Sequence, residues 1–278
     1  MLQPPPIVLS FAANDPSGGA GLQADMLTIA SMGCHPLSIV TAITIQDTTG
    51  VNSVMPLDAE WIADQARTVL EDMPVQVFKI GLLGSVEIIS AITEVISDYP
   101  HIPVVLDPIL TSGRGDELAS EAMIDALCTM LLPQVTLITP NSLEARRLAL
   151  QDGDDPESRL ELELCARRLF NMGSEYVLIT GTHENTKYVT NTLFDENGVM
   201  RIDEWERLEN TYHGSGCTLA SSIAASLASG LSLVESVIKA QDYTWHTLQA
   251  GFRPGMGQYI PNRLFWAQNL EEADNRKD

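Results

Sequence analysis

The segment PVVLDP, Pro103–Pro108, is a short apolar strand pattern that ends in a carboxylate. A similar pattern follows an intervening helical stretch as VTLITPN, Val135–Asn141. Strands that alternate with helices indicate βαβ units and a mostly parallel sheet. Because ligands of such sheets bind beyond the carboxyl ends of the strands, we expect a site beside Asp107 and Asn141.

The rest of the chain continues this alternation in both directions. The predicted strands are Ile7–Ala13, Pro36–Ile45, Val75–Leu83, Tyr176–Thr180 and an antiparallel pair within Thr190–Trp205 that turns at Asn197-Gly198. The predicted helices are Gly21–Met32, Asp58–Met73 with Asp58 as N-cap, a helix from Ser85, Cys217–Gly230 and Ser232–Gly251. We expect one domain over residues 1–278, with its core at about 7–267 and a charged tail from Glu271 to Asp278.

The chain of 278 residues is strongly acidic, with a formal net charge of −21. Such a surface repels nucleic-acid phosphates and anionic membranes, so neither is expected as a partner. A phosphate-bearing ligand would therefore need positive potential that is built locally.

The cysteines and the N-terminus indicate the compartment. Cys34, Cys128, Cys165 and Cys217 form no CxxC pair and no Cys/His spacing typical of metal ligands. The first residues contain no basic segment and no long apolar run, so we expect neither a secretory signal nor a membrane span. The simplest interpretation is a cytoplasmic, reduced protein.

The sharpest chemical motif is Tyr212-His-Gly-Ser-Gly-Cys-Thr218, directly before a predicted helix. Gly214 and Gly216 let the backbone turn tightly and approach a ligand. The amides of Ser215, Gly216 and Cys217 then point from a helix N-terminus, which binds anions and suits a phosphoryl group in transfer. The same position predicts a lowered pKa for the Cys217 thiol. A glycine-containing helix cap with a buried cysteine is the alternative, because a short glycine pattern is weak evidence.

A second glycine-rich turn, Asn14-Asp-Pro-Ser-Gly-Gly-Ala-Gly21, joins the first strand to the first helix. Its glycines permit a ligand to approach closely, and Asp25 lies roughly one turn into the helix. A carboxylate there could accept hydrogen bonds from a polar heterocycle or a hydroxyl group. The alternative is a flexible turn with a solvated aspartate.

Two carboxylates, Asp107 and Glu144, follow neighbouring predicted strands. Together they could hold Mg²⁺, directly or through water. Alternatively, Asn141 or Ser142 caps a helix and Glu144 is favourable near its N-terminus. The two roles are compatible. Lys79, within a strand, is interpreted as structural unless it reaches a phosphate.

Together these segments resemble the ribokinase-like superfamily, and most closely the hydroxymethylpyrimidine/phosphomethylpyrimidine kinases of thiamine biosynthesis. The resemblance implies a three-layer α/β/α fold with a central, mostly parallel sheet. The matching segments occur in the family's order over nearly the whole chain, which is far more specific than any one motif. They are DPSGGAGLQAD (Asp15–Asp25), VTAITIQDTTGV (Val40–Val51), KIGLLG (Lys79–Gly84), VVLDPIL (Val104–Leu110), LITPNSLEA (Leu137–Ala145) and HGSGCTLASSIAA (His213–Ala225).

The resemblance implies ATP-dependent phosphorylation of 4-amino-5-hydroxymethyl-2-methylpyrimidine and of its monophosphate, with Mg²⁺ as the metal. Cys217 would be the general base for the hydroxymethyl oxygen, or at least its positioning group. Asp25 and Gln46 would hydrogen-bond the aminopyrimidine, with the Asp25 carboxylate as an acceptor. The other implied roles are a ring pocket of Ala20, Leu82 and Ile109, an anion hole of Gly214, Ser215, Gly216 and Cys217, and Mg²⁺ binding by Asp107 and Glu144 with Asn141 beside them.

The chain departs from the family pattern where lysines are usual. Gly113-Arg114-Gly115 replaces Lys-Ser-Gly, Thr180-Gly-Thr-His183 replaces Lys-Gly-Gly-His, and Gln241 replaces a lysine of the last helix, with Lys239 nearby. Arg114 is the expected substitute, because its long side chain can bind phosphate bidentately. The predicted nucleotide-binding residues are Asn141, Thr180, Arg114 and Lys239.

Two other functions stay open at this point. A pyridoxal kinase of the same fold also phosphorylates a hydroxymethyl group on a nitrogen heterocycle. A non-catalytic regulator that binds a pyrimidine or a nucleotide would explain the missing lysines. The resemblance also implies a homodimer, because relatives commonly dimerise.

Overall fold

The computed structural model describes residues 4–151, 153–155 and 159–267. The strands in this part of the chain are β1 Ile7–Ala12, β2 His35–Val40, β3 Ala42–Asp47, β4 Gly50–Pro56, β5 Val77–Ile80, β6 Val104–Leu106, β7 Leu137–Ile138, β8 Tyr176–Ile179, β9 Tyr188–Asp195 and β10 Gly198–Glu206. Eight of them form one sheet in the order β10-β9-β8-β7-β6-β5-β1-β2. The strands from β2 to β8 in this order run parallel, and β9 and β10 add an antiparallel edge.

Helices cover both faces of this sheet. They are α1 Gly21–Ser31, α2 Ala59–Asp72, α3 Val86–Ser97, α4 Glu121–Ala126, α5 Ser142–Leu148, α6 Leu162–Asn171, α7 Ser215–Ala228 and α8 Leu233–Gln249. One apolar core lies between the sheet and α2 to α6, and a second lies between the sheet and α1, α7 and α8. The predicted three-layer α/β/α fold with a mostly parallel sheet is confirmed.

Burial on both faces explains the composition of the central strands. β1 has the sequence IVLSFA, and each of its residues is buried. Parallel strands that are covered by helices on both faces are near-continuous apolar runs rather than alternating ones. β5 follows the same rule except at Lys79, which is fully buried. A buried lysine in a central strand needs a charged partner, and Lys79 has one in Asp25 of α1.

The prediction of one strand over Pro36–Ile45 is wrong, because the chain leaves the sheet in the middle of it. Thr41 separates β2 from β3, and its backbone N–H donates to Ala12 O while its hydroxyl donates to Leu82 O. β3 then pairs with β4 in a separate antiparallel sheet of two strands. This two-stranded sheet stands at the carboxyl end of β2, beside the expected site.

Local signals placed most helix starts correctly. The Asp58 side chain accepts hydrogen bonds from the N–H groups of Glu60 and Trp61, so its predicted N-cap role is confirmed. α7 begins at Ser215, two residues before the predicted start. The charged tail lies outside the described residues. Among the helices in the described ranges, none has the length and apolar character needed to cross a membrane.

Candidate active site

A cavity of about 460 Å³ opens where the parallel strands β1, β5, β6, β7 and β8 end. Each of these strands is followed by residues that line it, as expected for an open parallel sheet. The structure brings most of the predicted site residues together on its wall: Ala20, Gln46, Leu82, Asp107, Ile109, Asn141, Glu144, Thr180, Gly214, Ser215, Gly216 and Cys217. Asp25, Arg114 and Lys239 are not among the lining residues.

The predicted anion turn sits at the start of α7. Gly214 is the N-cap and has φ of 83°. Within the described residues no side chain caps the first helical N–H groups of α7. A Cβ on Gly214 would collide with the carbonyl oxygen of Gly19, so only glycine fits between the two turns. A Cβ on Gly216 would lie 3.8 Å from both Asp107 carboxylate oxygens. The turn therefore presents free amides at the cavity beside Asp107.

The two glycine-rich turns are joined by Asp15 and His213. One Asp15 oxygen accepts from the Ser17 N–H, and the other accepts from the Ala20 N–H at 2.7 Å and pairs with His213 Nε2 at 2.8 Å. Burial opposes ionisation of Asp15, but the hydrogen bonds from His213, Ser17 and Ala20 hold the pKa of Asp15 below its ordinary value. An ionised carboxylate thus organises both turns.

A buried charged cluster lies directly behind the cavity. Lys79 Nζ is 2.9 Å from Asp25 Oδ1, and neither side chain is exposed. The Ser221 hydroxyl also donates to Asp25 at 2.6 Å. Burial opposes the charge of Lys79, but Asp25, Cys217 and Asp107 raise the pKa of Lys79. Asp25 is therefore the partner of Lys79. Its predicted role as an acceptor of a hydrogen bond from a substrate is corrected, because the carboxylate is closed to solvent and does not line the cavity.

The pKa of the Cys217 thiol shifts in the opposite direction from the one predicted from the sequence. Its side chain is buried in α7, and burial together with the negative charge of Asp107 raises the pKa of the Cys217 thiol. Lys79 and the Gly21 N–H act in the opposite direction without overcoming burial. The local helix N-terminus predicted a lowered pKa, whereas the surroundings keep the thiol protonated. Burial also raises the pKa of Asp107, and the neighbouring Lys79 and Cys217 only partly oppose that shift.

Asp107 and Glu144 form a pair of buried carboxylates at the cavity wall. Asn141 caps α5, and Glu144 completes a capping box by accepting from the Asn141 N–H at 2.9 Å and from the Leu110 N–H at 3.2 Å. Burial and then the charge of Asp107 raise the pKa of Glu144 to about 7. Asp107 Oδ2 is buried without a hydrogen-bond partner in the described residues. This pair has unused acceptor capacity, and the raised pKa of both carboxyl groups means that negative charge is disfavoured there unless positive charge lies beside it.

The end of the cavity near β3 suits a polar ring. The Gln46 amide nitrogen donates to Thr44 Oγ1 at 2.8 Å and to the Asn14 carbonyl at 3.4 Å. These contacts fix the amide and leave its oxygen for a ligand. Ile109, also on the wall, has φ of 31°, a conformation that β-branched residues rarely adopt. Backbone strain of this kind persists only where the surrounding structure holds the residue in place, and such residues cluster at binding sites.

The other end of the cavity lies beside Thr180, which pairs with Asn141 across the ends of β7 and β8. Here Gln241 is buried and held in place, because its Oε1 accepts from Asn191 and Trp205 and its Nε2 donates to Asp203. The residue that replaces the usual lysine is thus held in a hydrogen-bond network. It supplies no positive charge to this end of the cavity.

Neither expected replacement for the missing lysines is among the residues that line the cavity. Arg114 pairs with Asp116 at 2.7 Å, and 56% of the Arg114 side chain is exposed. Lys239 is exposed on α8. Their predicted contacts with nucleotide stay predictions, which the pairing of Arg114 with Asp116 and the outward position of Lys239 do not support.

Two contacts at the site are not evident from the sequence. Lys79 stands out as a lysine in an apolar strand, but its buried partner Asp25 lies 54 residues earlier in the chain. Arg263, buried near the C-terminal end of the described chain, donates to carbonyl groups of both glycine-rich turns. No local pattern marks either contact. The lysine in an otherwise apolar strand is the one available signal.

A parallel sheet with an anion turn, a protonated cysteine and paired carboxylates at its carboxyl edge defines a small-molecule kinase of the ribokinase-like class. The sequence model of the family described as phosphomethylpyrimidine kinase matches residues 15–262. The chain belongs to this family.

Curated relatives agree with this assignment. The hydroxymethylpyrimidine/phosphomethylpyrimidine kinase of Streptomyces coelicolor is 36% identical over 254 residues, which cover 91% of this chain and 92% of that protein. The thiamine biosynthesis bifunctional protein ThiED of Geobacter sulfurreducens is 35% identical over 265 residues. The match covers 95% of this chain, but only 54% of ThiED.

Solved structures share the fold. An ADP complex of Bacillus subtilis pyridoxal kinase has a TM-score of 0.85 and 27% identity, covering 95% of this chain and 99% of that one. A phosphomethylpyrimidine kinase from Clostridium difficile has a TM-score of 0.73 and 32% identity, covering 86% of this chain and 97% of that one.

Proposed function

We propose that this protein transfers the γ-phosphoryl group of ATP to the hydroxymethyl oxygen of 4-amino-5-hydroxymethyl-2-methylpyrimidine, and then a second phosphoryl group to the resulting monophosphate. The observation that carries the proposal is one cavity in which the free amides of α7 lie beside Asp107, between Gln46 at one end and Thr180 at the other. Family membership and the names of the curated relatives support the same reaction.

The pyrimidine occupies the end near β3. The Gln46 amide oxygen accepts a hydrogen bond from the exocyclic amino group, and Ala20, Leu82 and Ile109 enclose the ring. Apolar walls with a few fixed polar groups are typical of small-molecule sites. This placement points the hydroxymethyl group toward Cys217 and the anion turn.

In the transfer step, the hydroxymethyl oxygen attacks the γ-phosphorus and the bond to the bridging oxygen of ADP breaks. The amides of Ser215, Gly216 and Cys217 stabilise the charge on the moving phosphoryl group. The alcohol proton passes to Cys217 Sγ while the thiol proton passes to the Asp107 carboxylate. Because the thiol is protonated before and after this relay, its raised pKa is compatible with the role.

Asp107 and Glu144 have the donor set that a hard divalent cation such as Mg²⁺ prefers. The unpartnered Asp107 Oδ2 and the raised pKa of Glu144 fit a cation, since bound positive charge would relieve both. Asp107 would bind it and Glu144 would contribute directly or through water. When bound, Mg²⁺ neutralises phosphate charge during transfer. ATP is the co-substrate implied by the kinase relatives.

An assay of ADP release tests the proposal with three acceptors: the pyrimidine alcohol, its monophosphate and pyridoxal. We expect ATP-dependent turnover with both pyrimidines. Turnover with the alcohol but not with its monophosphate would mean that the protein does not catalyse the second phosphorylation. Ligand binding without any ADP release would favour a non-catalytic regulator instead.

A pyridoxal kinase is the second candidate, because the pyridoxal kinase structure has the higher TM-score of the two neighbours described above. The two functions share the fold, the anion turn and the chemistry of a primary alcohol. They differ in the heterocycle, so the ratio of kcat/KM for the two alcohols decides between them. We expect this ratio to favour the pyrimidine.

We also propose that the protein is a homodimer formed through the outer face of the β3–β4 sheet. Ile43, Ile45 and Met55 are 43%, 65% and 55% exposed, and Ile43 lies opposite Met55 in the two strands. The other face carries Gln46 and Val51 on the cavity wall. Exposed apolar patches commonly mark interaction sites, and a second copy offers a matching apolar face.

A further inference from the structure

Arg263 lies beyond the last helix and is only 3% exposed. Its Nη2 donates to Gly19 O at 2.5 Å and to Gly214 O at 3.5 Å. Nη1 donates to Gly18 O at 3.3 Å, and Nε donates to Thr218 Oγ1 at 3.1 Å. One guanidinium group therefore holds both glycine-rich turns by their carbonyl groups.

The charge of Arg263 is unusual in its setting. The hydrogen bonds that its guanidinium makes within the described ranges go to three carbonyls and one hydroxyl, all of them neutral. Buried charges are normally paired, because removal from water is costly. A cation kept here without a direct carboxylate partner supplies positive potential behind the anion turn. This is where a chain with a net charge of −21 most needs it.

The contact with Gly214 reaches the anion turn through the backbone. Gly214 C=O and Ser215 N–H belong to one peptide group, so a cationic donor at the oxygen polarises the N–H at the other end. The Ser215 N–H is among the free amides at the start of α7. Gly214 O also accepts from the N–H of Thr218 at 3.0 Å and from its hydroxyl at 2.8 Å. Arg263 therefore acts on this carbonyl both directly and through the Thr218 hydroxyl, to which its Nε donates.

The C-terminal segment keeps the guanidinium in place. The His213 N–H donates to Tyr259 O at 2.8 Å, and the Tyr259 N–H donates to Thr211 O at 3.0 Å. The Asn262 N–H then donates to Thr247 O of α8 at 2.9 Å. These bonds tie the segment to the residues just before the anion turn, so Arg263 is preorganised rather than recruited by a ligand.

We propose that Arg263 is a positioning residue for phosphoryl transfer, which fixes the two glycine-rich turns against each other and strengthens the Ser215 amide toward the transferred group. The inference rests on the proposed kinase function. It differs from a purely structural role because it concerns the phosphoryl group in transfer and not the bound substrates.

The test compares Arg263→Met and Arg263→Lys with the wild-type protein, and uses Arg253→Met as the matched control. Arg253 lies in the same segment, is exposed, and donates to carbonyls of Met256 and Gly257. We expect Arg263→Met to lower kcat by roughly 10²-fold, the effect of losing one anion-hole donor, with little change in KM for the pyrimidine. Arg263→Lys keeps the positive charge but lacks the planar guanidinium group with its several N–H donors, so its kcat should be intermediate. The kcat of the control should resemble that of the wild type.

Affinity for ADP alone and for ADP with aluminium fluoride, a mimic of the phosphoryl group in transfer, gives a second measurement. We expect Arg263→Met to lose affinity only for the fluoride complex. Equal losses for both ligands, or a wild-type kcat, would overturn the inference. If Arg263→Met does not fold, Arg263→Lys is judged by the same two comparisons. A wild-type protein that releases no ADP overturns the proposed function itself, whereas active wild type with unaffected variants overturns this inference alone.

Discussion

Lys79 Nζ lies 2.9 Å from Asp25 Oδ1 in a pair that is closed to solvent, directly behind Cys217 and Asp107. A buried pair is strongly destabilised when one partner is removed, because the other charge is left without compensation. We therefore expect Asp25→Ala to lower the free energy of unfolding by about 3–5 kcal/mol, as measured by urea denaturation.

Two further variants isolate the contribution of the unpaired charge. Ser221→Ala removes only a neutral donor to Asp25 and should cost about 1 kcal/mol. The double variant Asp25→Leu with Lys79→Met should recover part of the stability, since no unpaired charge remains. Wild-type stability of Asp25→Ala together with a raised KM for the pyrimidine would restore the substrate contact that the sequence suggested.

Cys217→Ala tests the proton relay. We expect kcat to fall by roughly 10²–10⁴-fold, the range for a positioned acid–base group, while KM for the pyrimidine changes little. Cys128→Ala is the control, because Cys128 lies near α4 and contacts only the Leu148 carbonyl among its hydrogen-bond partners in the described chain. Near-wild-type turnover by Cys217→Ala would remove the thiol from the mechanism.

Replacing Arg114 or Lys239 is expected to have no effect on the use of ATP. Arg114 is paired with Asp116, and Lys239 faces solvent on α8. Exposed pairs contribute little free energy and neither side chain lines the cavity. We expect Arg114→Ala and Lys239→Ala to leave KM for ATP unchanged in the ADP-release assay. A clear rise for either variant would mean that the side chain moves to the nucleotide when it binds.

The fold was predictable from the sequence because its signals are local. Strand–helix alternation, the Asp58 cap and the residues that follow PVVLDP and VTLITPN located the sheet and its carboxyl edge. Asp25 and Cys217 were misread for the opposite reason. A position one turn inside α1 says nothing about Lys79 on β5, and the helix start near Cys217 does not reveal burial beside Asp107. Contacts between distant segments decide both.

The link between Asp15 and His213 predicts a dependence of stability on pH. The pKa of Asp15 is lower in the folded chain than its ordinary value, so the folded state favours the ionised carboxylate. This contribution is complete above the unfolded pKa of about 3.9 and is lost as the pH falls through the folded value. Asp15→Asn should therefore lower the melting temperature at neutral pH, and the difference from wild type should shrink at about pH 3.

The control for this measurement is Asp64→Asn, which changes an exposed carboxylate on α2. Its effect on the melting temperature should be small throughout. If the cost of Asp15→Asn stayed constant into acidic solution, the hydrogen bond from His213 would not depend on the charge of Asp15.

The apolar face of the β3–β4 sheet makes the oligomeric state testable. A charge at the centre of a self-complementary patch meets its own copy across the two-fold axis, so its cost is counted twice. We expect Ile45→Glu to shift the protein from dimer to monomer in light scattering coupled to gel filtration. Val199→Glu is the control, because Val199 is 49% exposed on β10 at the opposite edge of the main sheet. A dimer that survives Ile45→Glu but dissociates with Val199→Glu would show that the interface lies at that edge instead.

Dissociation should also change substrate binding, because Gln46 follows Ile45 on the same strand and lines the cavity. If the second copy holds this strand over the cavity, we expect the monomeric variant to have a higher KM for the pyrimidine.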